Sequence, residues 1–495
     1  MELQFHNRVF RCLKPILRQV QNQEQTQELK LTDGMPDIGR VLGAWGQVLL
    51  RSKQWQSGTV SISGGVMAWV MYEPEDGGRP QSVECWIPFQ MRWDLPDTIG
   101  DGKLMIQCLL RNIDARNTSA RKLMLRAGIG CAVQALTDEE CSSYEPEDVP
   151  ADVQLLRKSY PVLLPVEAGE KAFELQEELT LPAAERKPER LIRYELRPEI
   201  VDRKVMADKV VFRGAALLHA LCRGEDGRYF AVEQEIPFSQ FAQLDQEYDQ
   251  DAYVQVLPVV TGLELEIDPE GRLLLKAGMT GQYVIHHRRL LNVVEDAYSP
   301  RRKVAVQKQS EELPMVLDEQ SQLIRAELPL QLDGTQVVDL SFWPDHPQVQ
   351  QNESGVQMEL PGMFQILYYD PEGQLQGQTV RWQGTWGMSM GEAARAEAVI
   401  HLSGKPQASL SELRADILLD TQISARQGME MVSGLVLGEM QQADEERPSL
   451  ILRRVGGDSL WELAKRTGST VEAICEANRL TDDPGPERLL LIPVS

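Results

Sequence analysis

Residues 58–78 read GTVSISGGVMAWVMYEPEDGG, and the pattern of this stretch predicts the fold of most of the chain. Val60 and Ile62 alternate with serines, which is the period of a β-strand with one buried face. After Gly64 the residues that point to both faces are apolar, so this part of the strand is expected to be buried on both sides. The stretch ends in Glu75-Asp76-Gly77-Gly78, a composition typical of a hairpin turn.

The same pattern returns later in the chain, which indicates a duplicated domain. Residues 209–227 read KVVFRGAALLHALCRGEDG, and aligning Gly64 with Gly214 also aligns the two Asp-Gly turns. Residues 121–134 (RKLMLRAGIGCAVQ) likewise match residues 271–284 (GRLLLKAGMTGQYV). Between these blocks, the Ile-Pro-Phe sequence at 87–89 returns at 236–238. Three blocks in the same order, at a nearly constant offset, predict two copies of one β domain.

A third and more divergent copy is predicted from residues 356–373, VQMELPGMFQILYYDPEG. This stretch has an alternating run, a Pro-Gly break, an apolar run with tyrosine and an acidic turn with glycine, but no Ile-Pro-Phe follows it. Its later strand, ADILLDTQIS at 415–424, lacks the Ala-Gly pair. Many short strands separated by turns favour a β-sandwich or a barrel-like fold in each copy. The fold class is therefore predicted as mainly β, in tandem repeats.

Composition suggests where the copies begin and end. Charge and proline are concentrated around residues 138–190 and 441–449, as is typical of linkers. We therefore predict β repeats at 1–137, 191–305 and 320–440, one linker at 138–190 after the first repeat, and another at 441–449 between the third repeat and a different module at 450–495.

The C-terminal module has a helical pattern that the rest of the chain lacks. Two capping boxes, Ser459-x-x-Glu462 and Ser469-x-x-Glu472, each precede residues with apolar spacing of one helix face. The apolar runs Leu450–Val455 and Leu489–Val494 flank them as strands. The order strand, helix, helix, strand predicts a small α+β domain close to the lower size limit for a single core.

These residues resemble a LysM domain. The resemblance lies in VGGDSLWELA at 455–464, in Asn478 with Leu480, and in the closing LLIP at 490–493, although Glu487 replaces the usual glycine. The LysM family commonly holds N-acetylglucosamine polymers in a shallow groove between two loops. The resemblance implies that these loops contain the binding residues Gly457, Asp458, Ser459, Leu460, Asn478, Arg479, Leu480 and Thr481. The residues alone allow another interpretation, in which Asp458 and Ser459 cap a helix and Leu460 belongs to the core.

The repeated body resembles the SPOCS domain of sporulation proteins. The resemblance lies in LKLTDGMPDIGRVLGAWGQVLL at 29–50 and in the repeat at 209–222. Several such copies followed by one LysM domain resemble the SipL-type spore coat morphogenetic family. That family resemblance implies a mother-cell cytosolic protein at the forespore surface, whose LysM domain binds the SpoIVA-type ATPase of the coat basement layer.

Charge and motif content exclude several other functions. With 51 basic and 74 acidic residues the net charge is −23, which disfavours binding to nucleic acid or to an anionic membrane. No run is long and apolar enough to span a membrane, and the first 20 residues lack the apolar core of a secretion signal. The seven cysteines never form C-x-x-C, so free thiols and no metal site are expected.

The sequence has none of the common catalytic motifs, such as a phosphate-binding P-loop, H-E-x-x-H or G-x-S-x-G. We therefore expect neither catalysis nor a cofactor. Two functions remain open at this stage. One is a non-catalytic coat adaptor that binds a protein through its LysM domain, and the alternative is a LysM protein that binds peptidoglycan or N-acetylglucosamine polymers.

Overall fold

The computed structural model describes residues 1–96, 101–181, 187–352, 355–389, 394–441, 448–454, 457–480 and 489–494. Strands make up 79% of it, and two short helices lie near the C-terminal end. The predicted fold class is therefore confirmed. None of the helices in these ranges has the length and apolar character needed to cross a membrane.

Unit 1 is a sandwich of two three-stranded antiparallel sheets. Its strands are β1 (Phe5–Lys30), β2 (Ile38–Gln56), β3 (Thr59–Pro74), β4 (Gln81–Asp94), β5 (Lys103–Ser119) and β6 (Lys122–Pro146). One sheet has the order β2-β3-β4 and the other has the order β1-β6-β5. Side chains of both sheets, among them Val66, Ile106 and Leu125, form one buried cluster between them. The long first strand thus pairs with the last strand and closes the unit.

The central strand β3 is buried on both faces, as its sequence predicts. Val66, Ala68 and Val70 point into the core of unit 1. Trp69 points the other way and packs on Tyr194 of the next unit, with the ring centroids 4.8 Å apart. The double apolar face of β3 therefore serves one core and one contact between units.

Unit 2 repeats this arrangement. Its strands are β7 (Gln154–Leu179), β8 (Pro188–Gly224), β9 (Tyr229–Tyr248), β10 (Tyr253–Ile267) and β11 (Leu273–Tyr298). The order β10-β11-β7 corresponds to β5-β6-β1 of unit 1. Strand β8 is long because it includes a bend: Ala207 has a φ of 51°, close to the 48° of Ser57, which lies 150 residues earlier at the β2–β3 turn. The two arms of β8 thus correspond to β2 and β3.

The aligned glycines Gly64 and Gly214 occupy equivalent, tightly packed positions. A Cβ on Gly64 would lie 2.3 Å from the carbonyl oxygen of Leu49 and 2.9 Å from the ring of Phe89. A Cβ on Gly214 would lie 2.0 Å from the oxygen of Glu199 and 2.7 Å from the ring of Phe238. Only glycine allows this approach of two strands and a phenylalanine, which explains why both copies have it.

Unit 3 resembles unit 1 but has one strand more, because its first sheet has four strands. Its strands are β12 (Arg302–Pro329), β13 (Gln336–Pro344), β14 (Gln348–Asn352), β15 (Gly355–Tyr369), β16 (Leu375–Met388), β17 (Ala394–Ala408) and β18 (Glu412–Met440). Strand β15 pairs with β13, β14 and β16, and the second sheet has the order β12-β18-β17. The first and last strands again pair, although the Ile-Pro-Phe and Ala-Gly signals of the other two copies are absent.

The predicted linker at 138–190 is wrong for most of its length. Its first residues extend β6, which pairs with β1 up to Pro146, and β7 occupies 154–179 and pairs with β11 along its whole length. Charged side chains point outward from these strands, so a composition that suggests a linker belongs to half-exposed strands. The predicted linker at 441–449 lies mostly outside the described residues.

The terminal module contains β19 (Leu450–Arg454), α1 (Leu460–Thr467), α2 (Val471–Asn478) and β20 (Leu489–Pro493). Its two strands pair antiparallel, and the helices pack on them around Leu463 and Ile474. Helix α1 has the predicted capping box at Ser459. Helix α2 is capped instead by Thr470, whose hydroxyl accepts a 3.1 Å hydrogen bond from the backbone of Ala473. The predicted cap Ser469 is buried one residue earlier.

A buried ionic network joins the three units. Arg193 of unit 2 donates hydrogen bonds of 2.7 and 3.0 Å to the carboxylate of Asp339 in unit 3. Its guanidinium lies 5.4 Å from the ring centre of Trp45 in unit 1. His219 lies 2.7 Å from the second oxygen of Asp339. Arg193 and Asp339 are almost fully buried, so their relative positions fix the units against one another.

The first strands of the three units also converge in one buried cluster. Cys12 of β1, Val162 of β7 and Leu313 of β12 pack together there. Cys12 and Val162 are 150 residues apart, so they are equivalent positions in the duplicated domain. The three units are therefore grouped around a common centre rather than strung out in a line.

The Asp339→Asn substitution should destabilise the protein strongly. It removes the carboxylate that Arg193 hydrogen-bonds and leaves this buried cation with the longer, 3.8 Å contact to Glu195. Removing one partner of a buried ion pair typically lowers the free energy of unfolding by about 3–5 kcal/mol. Asp94→Asn is the matched control, because Asp94 pairs with Arg92 at the surface, where such pairs contribute only about 0–1 kcal/mol. Chemical denaturation of both variants measures the difference. Equal stability of the two variants would contradict the role assigned to the network.

His219 should make stability depend on pH in the alkaline range. Burial and Arg193 act to lower its pKa, but the Asp339 carboxylate prevails and raises the pKa of His219 from 6.5 to about 9. Its contribution is complete below pH 6.5 and is lost as the pH rises through about 9, because the unfolded chain then binds fewer protons than the folded one. Denaturation between pH 6 and pH 9.5 should show this decline. The decline should be smaller in His219→Gln.

Candidate partner-binding site on the terminal module

The first predicted loop consists mainly of residues that the fold itself uses. The Ser459 hydroxyl accepts a 3.3 Å hydrogen bond from the backbone of Glu462, and the Ser459 backbone donates to the Glu462 carboxylate at 3.2 Å. The carboxylate of Asp458 forms an ion pair with Arg466 of α1. Leu460 is buried in the core of the module. Gly457 alone in this loop is exposed and has a positive φ, 98°.

The second predicted loop is anchored by Asn478. Its amide nitrogen donates to the carbonyl oxygens of Ile474 at 2.8 Å and Leu491 at 2.6 Å, and its amide oxygen accepts a 2.8 Å bond from the Leu491 backbone. These bonds tie the end of α2 to β20, so Asn478 is a positioning residue for the loop. No sequence signal distinguished this role from ligand binding.

The residues after Asn478 differ in exposure. Arg479 is exposed and adopts a left-handed backbone conformation, with a φ of 53°, where α2 ends. Leu480 packs against the same cluster that contains Leu460, so the two loops border one core. Thr481 and Glu487 lie outside the described residues. Of the eight predicted site residues, Gly457 and Arg479 are therefore the ones that present free surface in the part that the structure describes.

The outer face of the module's sheet is apolar and exposed. Leu450, Leu452 and Leu489 lie on this face and are 50%, 62% and 55% exposed. The opposite face, with Leu490 and Ile492, forms the core. A sheet of two strands normally has polar residues on its solvent side, so three exposed leucines indicate a surface for contact. Sequence reasoning assigned these residues to strands and missed their exposure.

The module docks on unit 2 through one face of α1. Asp296 near the end of β11 accepts hydrogen bonds from the Trp461 indole at 2.9 Å and from Lys465 at 2.6 Å. The Tyr298 hydroxyl donates a 3.0 Å bond to the carbonyl oxygen of Ser469, and its ring meets Trp461 edge-on at 4.8 Å. Although burial acts to raise it, the pKa of Asp296 is lowered by the hydrogen bonds from Lys465 and Trp461.

A cleft of about 580 Å³ runs along this junction. Ser459, Trp461 and Glu462 line it on the side of the module, and Tyr160, Glu295 and Met429 are among the residues that line it on the side of the body. The start of α1 therefore faces the body, and the sheet with its exposed leucines is the freer side of the module.

Comparison with known families agrees with this architecture. A model described as SipL, SPOCS domain matches residues 187–268, which contain β8, β9 and β10 of unit 2. A LysM domain model matches residues 456–485. The chain thus carries a SipL-type SPOCS domain and a C-terminal LysM domain, and the resemblance to SipL-type proteins is confirmed. No curated protein and no solved structure matches the chain significantly.

The two families define the general class of this protein. SPOCS and LysM domains are non-catalytic binding domains, and their combination is that of a SipL-like sporulation protein with a LysM binding module.

Asp296→Ala should release the terminal module from the body. It removes the acceptor of Trp461 and Lys465, and hydrogen bonds to a charged group contribute about 1.5–3 kcal/mol, so the opening equilibrium should shift by about 10-fold or more. Hydrogen exchange of residues 459–469 measures the change. Asp114→Ala is the control, because Asp114 forms an exposed ion pair with Arg116 in β5 of unit 1, whereas the module docks on unit 2. Unchanged exchange in Asp296→Ala would show that the docking does not depend on this carboxylate.

Proposed function

We propose that this chain is a non-catalytic spore coat adaptor that acts in the mother-cell cytosol at the forespore surface. In this proposal all three β units are SPOCS domains, and the LysM domain binds the SpoIVA-type ATPase of the coat basement layer. The observation that carries the proposal is the presence of a SipL-type SPOCS domain and a LysM domain in one chain. In all three units one sheet places the last strand between the first strand and the strand before the last, and this common sheet supports the extension from unit 2 to units 1 and 3.

The surface of the LysM domain favours a protein partner. Ser459 and Asn478 make hydrogen bonds within the fold, which leaves few polar groups in the groove for the hydroxyls of a sugar. The exposed leucines of β19 and β20 suit contact with apolar side chains. Exposed Arg479, at the end of α2, supplies a charge that a partner carboxylate can pair with.

Glycan binding is the second candidate, because LysM domains are commonly glycan-binding modules and this chain has one. Gly457 and Arg479 remain available for a short oligosaccharide.

Capture of the purified ATPase by the full chain tests the proposal. Leu452→Glu places a charge in the exposed apolar face and should abolish capture, whereas Arg479→Glu should weaken it by reversing one contact charge. Both side chains are exposed, so both variants should fold. Leu463→Ala removes a core side chain that is 1% exposed, should cost about 2–5 kcal/mol and should unfold the module, which serves as the positive control for loss of binding.

Circular dichroism of each variant checks folding, and titration with chitin oligomers tests the second candidate. Binding of the oligomers at micromolar affinity, without capture of the ATPase, would make the glycan proposal the correct one. Capture that is unaffected by both Leu452→Glu and Arg479→Glu would place the partner on another surface.

A further inference from the structure

Two cysteines and a glutamate from opposite ends of unit 1 come together on β1 and β6. Cys12 lies opposite Glu139 in the register of the two strands, and Cys141 lies two residues further along the same face of β6. The two sulfur atoms are 3.4 Å apart, although the cysteines are 129 residues apart in sequence. One oxygen of Glu139 and both sulfurs lie within 4.8 Å of one another. Within the described ranges, no other set of three such ligands was found.

The cluster is mostly buried and packs against the sulfur-containing side chain of a methionine. Cys12 and Cys141 are 0% and 1% exposed and pack with Met429 where the first strands of the three units converge. Glu139 is about one-third exposed and forms an ion pair with Lys14. Met429, which packs with both cysteines, also lines the cleft beside the LysM domain, together with Glu311.

We propose that Cys12, Cys141 and Glu139 bind one divalent ion of the zinc class. Two thiolates and a carboxylate are a donor set that suits zinc and does not suit magnesium or calcium. Binding releases the thiol protons to solvent and makes Glu139 exchange its partner Lys14 for the ion. Because the ligands lie on the first and last strands of unit 1, the ion fastens the closure of that unit at the common centre of the molecule. The proposal is independent of the partner that the LysM domain binds.

The other cysteine pair provides an internal comparison. Cys108 and Cys131 lie opposite each other on β5 and β6, with their sulfurs 2.7 Å apart, but they are not part of the group of three ligands. Cys222 is a buried cysteine of unit 2. Binding of a zinc-class ion should therefore require Cys12 and Cys141, and it should not require Cys108 or Cys222.

The experiment uses the full chain, kept reduced, stripped with a chelator and titrated with Zn²⁺ and with Co²⁺. Metal analysis should find about one Zn²⁺ per chain, and Co²⁺ should produce a thiolate-to-cobalt charge-transfer absorption. Cys12→Ser and Cys141→Ser should each lose both signals, and Cys108→Ser and Cys222→Ser should keep them. Glu139→Gln should retain the absorption but bind Zn²⁺ about 10- to 100-fold more weakly, by analogy with other changes around metal ligands.

Stability gives a second measurement. Zn²⁺ should raise the thermal midpoint of the unmodified chain, because a ligand that binds the folded state stabilises it, and should leave that of Cys141→Ala unchanged. If the cysteine variants fail to fold, the Zn²⁺ affinity of Glu139→Gln tests the proposal. This variant should fold, because the Glu139 side chain is partly exposed and the change is isosteric. No uptake of Zn²⁺ by the reduced chain, or uptake that persists without Cys12 and Cys141 or disappears without Cys108, would overturn the proposal.

Discussion

Each β unit depends on the pairing of its first strand with its last. In unit 1 this ladder runs from Phe5 opposite Pro146 to Lys30 opposite Lys122, and β7 with β11 and β12 with β18 do the same in units 2 and 3. Each first strand lies at the edge of its sheet, so the distant last strand is, among the described strands, the one with which it forms a ladder. The sandwich cores, the contacts between units and the cysteine cluster all follow from this closure.

The second constraint is the position of the buried charges. A buried ion pair tolerates little displacement. The attraction between Arg193 and Asp339 offsets the cost of removing both charges from water, and this attraction weakens when the two groups separate. Since Trp45, Arg193 and Asp339 come from three different units, the network selects one relative arrangement of the units among many that apolar contacts would allow. The LysM domain is held differently, by the half-exposed partners of Asp296 on one helix face.

Local patterns predicted much of the fold. The Asp-Gly turns at Gly77 and Gly227 have the positive φ that their sequence implies, and the alignment of Gly64 with Gly214 matches two equivalent close contacts. Long-range pairing was not predictable in the same way. The many charged residues of β7 suggest a linker, and the strand exists because its backbone pairs with β11, which lies much later in the chain. For the same reason the sequence showed neither the meeting of Cys12 with Glu139 nor that Asn478 is used by the fold.

The first strands of the three units share one irregularity, and this has a consequence for synthesis. The register of each ladder skips one residue of the first strand, namely Ile16 of β1, Val166 of β7 and Leu317 of β12. Ile16 and Val166 are 150 residues apart, so the bulge belongs to the repeated design of the unit. During translation β1 must wait for β6, and three similar units in one chain invite pairing with the wrong final strand, as in other repeat proteins. A bulge that all three first strands share does not distinguish their partners, so the order of synthesis, in which β6 is complete before β11 and β18 exist, has to favour the correct pairing.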